Sequence, residues 1–111
     1  MPSVVYKICR AEEWHSTEHT GVFTGSPDDR RDGFIHCSTA EQVIGTFEKY
    51  FAGETGLVLL TLDVAALGPA LKWEVSRGGA LFPHIYGSLP LAAVVGSRPL
   101  NSVNDLRQLG Q

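Results

Sequence analysis

The stretch Asp32-Gly33-Phe34-Ile35-His36-Cys37-Ser38-Thr39 organises the chain. Asp32-Gly33 is a turn signal, and Phe34 to Cys37 is a short run of apolar or small residues, so a brief buried strand is predicted there. Ser38 stands three residues before Glu41, the capping-box spacing, which predicts a helix starting at Ser38. Ala40, Val43, Ile44, Phe47, Tyr50 and Phe51 recur at three- and four-residue steps and so share one helical face. A strand running into a capped helix puts His36 at a strand end beside free backbone N–H groups, where ligands often bind.

Upstream, Val4-Val5-Tyr6-Lys7-Ile8-Cys9 alternates as a strand, with Val4, Tyr6 and Ile8 on one face and Val5, Lys7 and Cys9 on the other. Lys7 is expected to snorkel to the sheet edge; the sharper alternative is an anion-binding lysine lining a cleft. Arg10 to His19 is predicted helical, with Glu12 and Glu13 in the first turn and Trp14 as anchor. His15 and His19 share a face but lack the zincin pattern, so both are expected in solvent. Gly21 to Gly33 is a polar connection with one helix start inside it: Ser26 as cap, Pro27 at the first helical position, acids next. Asp28, Asp29 and Asp32 do not have calcium-loop spacing.

Downstream, Leu57 to Leu62 reads as a strand buried on both faces, followed by a single helical turn from Val64 to Leu67 that Asp63 caps and Gly68 ends. Leu71, Trp73 and Val75 alternate with Lys72 and Glu74. Ser76 to Pro90, with Gly78-Gly79, Pro83 and several aromatics, is expected to be a loop packed over the core or built into a pocket wall. Leu91 to Val95 is the last predicted strand. Ser102 and Asp105 predict a helix from Val103 to Leu109, with Gly110 at its C′ position.

The chain has 111 residues, 43% hydrophobic and 19% charged, with a formal net charge of −3. One ordinary globular domain is expected. No basic stripe points to DNA. No apolar run approaches the roughly 20 residues that span a bilayer, and the start does not read as a signal peptide. Cys9 and Cys37 form neither a disulfide framework nor a zinc pattern. A reduced cytoplasmic protein, monomeric, with no membrane partner, is the expectation. The interleaved short elements predict an α+β domain with a split or strongly bent, mostly antiparallel sheet and two or three packed helices.

The candidate chemical residues are Lys7, His36, Glu74, Arg77, His84 and Tyr86. Each histidine sits in apolar local sequence and needs a partner if buried. Taken singly, each is expected to be a core imidazole bonded to carbonyls or to Tyr86. Taken together, His36, His84 and Glu74 suggest an acid–base site or, more weakly, three ligands of a metal-dependent hydrolase. Cys37, in an apolar run, is expected to be inert packing.

Val5-Tyr6-Lys7-Ile8, Asp32 to Ser38, Leu71-Lys72-Trp73-Glu74 and Phe82-Pro83-His84-Ile85-Tyr86-Gly87 together resemble a small, mainly bacterial family of uncharacterised proteins, domain of unknown function 952. More distantly, the order of Tyr-Lys strand, helix, Gly-Phe-Ile-His-Cys-Ser, helix and apolar strand resembles the ADP-ribosyltransferase-like fold. The RNA 2′-phosphotransferase branch is the nearest. That resemblance implies a split-sheet cleft holding NAD or another nucleotide. Lys7 and His36 would contact ribose or phosphates, and Tyr86 or Trp73 would stack on a base or nicotinamide, with Arg77 a further contact. Glu74 would position a ribose hydroxyl or stabilise an oxocarbenium-like state. The alternative is a non-catalytic ligand-binding or interaction module on the same fold.

Overall fold

The computed structural model describes residues 2–109, and of Arg77 only the backbone. The predicted alternation holds in β1 (Val4–Arg10). Helix α1 (Ala11–Thr20) follows, with the Arg10 N–H donating to Glu13 Oε1 at 2.7 Å. Trp14 packs on the core, and His15 and His19 are exposed. Thr17, which carries no apolar signal, is the buried residue of this helix and donates its hydroxyl to the Glu13 carbonyl.

The connection expected to be polar holds a buried residue, Phe23, in the two-residue strand β2 (Val22–Phe23). Then comes α2 (Pro27–Asp32), started as predicted by Ser26. Ser26 and Asp29 cap each other reciprocally, and Gly33 closes the helix at a φ of 84°, a left-handed conformation that glycine adopts at no steric cost. The predicted central strand is β3 (Ile35–His36).

Ser38 does not cap a helix. Its N–H and carbonyl exchange hydrogen bonds with Tyr6, at 2.9 and 2.8 Å, which keeps it extended. The signal moves one residue on: the Thr39 N–H donates to Gln42 Oε1 at 3.0 Å, and α3 spans Val43–Tyr50. Val43 and Phe47 are buried on the expected face, but Tyr50 at its end is exposed.

Strand β4 (Leu57–Asp63) and the one-turn α4 (Val64–Leu67), capped by Asp63, form as predicted. Strand β5 (Leu71–Val75) ends in an exposed Val75, past the point where its inward face is covered. The expected loop from Ser76 is instead a short turn and a strand, β6 (Leu81–Ile85), which runs through Pro83. Proline cannot donate to a ladder; the Pro83 carbonyl still accepts from the Cys37 N–H at 3.0 Å. Strand β7 (Leu89–Pro90) pairs with β2. The predicted last strand begins later than expected: residues 91–93 form a 3₁₀ turn, and β8 spans Val94–Leu100. The C-terminal helix shrinks to a 3₁₀ turn, Val103–Asp105, although Ser102 and Asp105 cap each other as expected; Gly110 lies outside the described residues.

The result is an α+β arrangement of small antiparallel sheets, ordered β1-β4-β8, β2-β7 and β3-β6-β5. The Tyr6–Ser38 bridge joins the first to the third. Both faces of β1 and β4 are covered. Val5, Cys9, Leu60 and Leu62 pack with Ile35, Cys37, Ile85 and Leu89, while Tyr6, Ile8, Leu57 and Leu59 pack with Val43, Phe47 and Leu100. No helix among the described residues is long and apolar enough to cross a membrane.

Candidate functional site

Strand parity decides which residues of the third sheet can meet. In the antiparallel register His36 lies opposite His84, Lys72 opposite His84, and Glu74 opposite Phe82. Residues directly opposite point to the same face. One face therefore carries His36, His84, Glu74 and Phe82, and the other carries Ile35, Trp73, Pro83 and Ile85. The second face packs into the core, and Trp73 packs there with it. Of the two rings expected to stack on a ligand, Tyr86 or Trp73, period two places Trp73 on the opposite side of the sheet from Glu74.

Lys7 does not snorkel. It faces the core side of β1 and is only 6% exposed, with its ammonium 2.9 and 3.1 Å from the two carboxylate oxygens of Asp29 and donating to the His36 carbonyl at 2.9 Å. Asp29 is 3% exposed. It also accepts from the His36 N–H at 3.0 Å, from the His36 ring Nδ1 at 2.6 Å and from the Ser26 N–H at 2.9 Å. Burial alone would raise the Asp29 carboxyl, but the His36 ring hydrogen bond, the Lys7 charge and the His36 N–H outweigh it. They hold the carboxyl well below the usual carboxylate range. The other His36 nitrogen, Nε2, lies 2.9 Å from Asp32 Oδ2. Asp32 is itself held ionised chiefly by the hydrogen bond from Arg31. Sequence reasoning missed Asp29; its one local signal was the Ser26-to-Asp29 capping spacing.

The second histidine is arranged differently. His84 Nδ1 donates to Glu74 Oε1 at 2.8 Å, and the Tyr86 hydroxyl donates to the same oxygen at 2.8 Å. These two bonds lower the Glu74 carboxyl, the His84 bond most, and the carboxylate in turn raises the Tyr86 hydroxyl. Phe34 stacks on the His84 ring with centroids 4.0 Å apart. The two imidazole centroids are 5.7 Å apart. Neither histidine is the carbonyl-bonded core imidazole expected of it singly.

A cavity of about 140 Å³ opens between β1, α2, α3 and this face. Lys7, Asp29, His36 and His84 line it, with Phe82 and Ser38. Glu74, Tyr86 and Trp73 do not line it, and the Arg77 side chain lies outside the described residues. No group of three or more His, Cys, Asp or Glu side chains among the described residues could hold a metal ion. Burial pushes the thiols of Cys37 and Cys9 up to about 12, so neither is a nucleophile at neutral pH.

These features define a compact α+β protein with a carboxylate-braced pair of histidines at one cavity. The chain belongs to the family described as protein of unknown function (DUF952), whose model matches residues 8–97. It is similar to protein CC0527 from Caulobacter crescentus. The crystal structure of that protein is 40% identical with a TM-score of 0.87, over 92% of this chain and 96% of that one. The solution NMR structure of CC0527 is 44% identical with a TM-score of 0.81, over 90% of this chain and 86% of that one. Comparison with curated proteins gave no match.

Proposed function

We propose that this protein is an ADP-ribosyltransferase-like, nucleotide-binding protein whose cavity takes the nicotinamide–ribose end of a ligand such as NAD. One observation carries the reading: Lys7 from the first strand and His36 and His84 from two others meet at a single cavity. At about 140 Å³ it is smaller than the roughly 300 Å³ at the low end of drug-sized pockets, so it suits one ring or sugar rather than a whole dinucleotide. The adenosine half would lie outside it. Lys7 acts on the ligand through Asp29 and His36, because its ammonium is already engaged by them. We further propose that the 111 residues act as one monomeric domain in the cytoplasm.

The test is an NMR titration of the labelled protein with NAD, ADP-ribose and nicotinamide. Shifts clustered at Lys7, His36 and His84 support the reading, and their absence up to millimolar ligand overturns it.

The second reading, a binding module without transfer chemistry, is favoured by the position of Glu74 outside the cavity. Glu74→Gln separates the two: an enzyme loses turnover while binding persists, whereas a module changes only in affinity.

A further inference from the structure

We infer that His84 is the proton acceptor of this cavity, presenting a bare Nε2 to a sugar hydroxyl, with Glu74 as the positioning residue behind it. The inference deepens the nucleotide reading and rests on it for the identity of the hydroxyl.

The argument begins from hydrogen-bond capacity. A neutral imidazole has one N–H donor and one lone-pair acceptor, and the partner of one nitrogen fixes the role of the other. Glu74 is ionised by its two donors, so it accepts from His84 Nδ1 and assigns the proton to that nitrogen. Nε2 is left with the lone pair. Among the described residues it has no hydrogen-bond partner, yet no fully buried polar side-chain atom among them lacks one. Nε2 therefore reaches open space, and His84 is a wall of the cavity although the residue is only 4% exposed. Phe34, stacked on the ring, and the opposed strands β3 and β6 restrict its rotation.

His36 cannot serve in the same way. Both of its nitrogens face carboxylates, Asp29 at 2.6 Å and Asp32 at 2.9 Å. Each nitrogen is already covered by a carboxylate oxygen, so neither is open to a ligand whichever of them carries the proton.

The step is a proton transfer. His84 Nε2 takes the proton of a sugar hydroxyl, the O–H electron pair stays on the oxygen, and the imidazolium donates its Nδ1–H to the Glu74 carboxylate. The oxygen so activated is a nucleophile, and the carboxylate offsets the positive charge that forms on the ring.

Long-range proton–nitrogen spectra of the labelled wild-type protein, at about pH 8 and above the ordinary histidine range, test this. The expected result is a protonated Nδ1 and a bare Nε2 on His84; the opposite tautomer, or protons on both nitrogens, overturns it. Glu74→Ala should shift the proton toward Nε2, and Glu74→Gln should keep it on Nδ1 through its amide oxygen. An unchanged tautomer in Glu74→Ala removes Glu74 from its role. ADP-ribose should move the Nε2 resonance. If ADP-ribose shifts cavity amides and leaves Nε2 alone, the nucleotide reading stands and the base does not. If ADP-ribose moves nothing but free ribose moves Nε2, the base stands and the nucleotide reading falls. If neither moves it, the inference is overturned.

Discussion

His36 and His84 sit opposite each other on paired strands, yet they are opposites in chemical terms. The His36 side chain is 38% exposed, with both nitrogens facing carboxylates; that of His84 is 5% exposed, with one nitrogen on a carboxylate and the other without a partner among the described residues. The accessible ring is the closed one and the buried ring is the open one. Exposure measures whether solvent reaches a group, whereas reactivity depends on whether its lone pair is already engaged. The surroundings differ as well. Asp29 is a buried carboxylate balanced by a buried ammonium, so the His36 side is built for rigidity. Glu74 is a half-exposed carboxylate that accepts from an imidazole and a phenol, with no fixed cation against it in the described contacts.

The first way to break this contrast is Asp29→Ala. It leaves the Lys7 ammonium buried and unpaired, and a loss of about 3 to 5 kcal/mol of stability in urea unfolding is expected. The double variant Lys7→Met, Asp29→Leu should recover only part of that: the unpaired charge is gone, but the Ser26 and His36 N–H groups still lack the Asp29 acceptor. A single and a double variant of equal stability would show that the pair is not what holds α2 to β1.

The same group sets an acid limit. The Asp29 carboxyl is lower in the folded protein than its unfolded value of about 3.9. Its stabilisation is therefore complete above that value and is lost as pH falls through the folded value. Urea midpoints measured between about pH 6 and pH 2 should fall more steeply in the wild type than in Asp29→Asn.

A smaller effect is expected at the rings themselves. His36→Gln removes charge-assisted bonds from a ring more than a third exposed, and about 1 kcal/mol is expected in the same assay. Phe34→Leu removes a ring that lies 4.0 Å from His84 and 4.7 Å from His36, at about 0.5 to 1 kcal/mol, and should broaden the His84 ring signals more than those of His36. Smallest of all, Tyr86→Phe should leave the unfolding midpoint unchanged and raise the Glu74 titration midpoint in carboxyl NMR, because one of its donors is gone.

Local signals in the sequence were readable and long-range ones were not. The Ser26 cap, the Asp63 cap, the two-faced burial of β4 and the alternation of β1 all follow from neighbouring residues, and all hold. The Lys7–Asp29 pair joins residues 22 positions apart, and no local pattern marks it. The meeting of His36 with His84 needed β6 to be read as a strand, and Pro83 argued against that. The separation of Trp73 from Glu74 was visible in their parity. What was missing was which of the two faces the core would take, and that depends on Ile35 and Ile85 pairing across β3 and β6. Ser38 was misread because two overlapping caps, Ser38 with Glu41 and Thr39 with Gln42, fit the same rule, and only the strand partner Tyr6 chooses between them.

That Tyr6–Ser38 bridge has a mechanical meaning. It is a single backbone bridge of two hydrogen bonds, and it fastens the β1 sheet to the β3 sheet beside the cavity. It acts as a clasp, beside the Lys7 ammonium that donates to the His36 carbonyl across the same seam. The Tyr6 and Ser38 amide protons, each donated across it, are a built-in gauge of that seam. Their exchange with deuterium, timed against that of Leu60 in the middle of β4, reads how often the clasp opens without the rest of the protein unfolding.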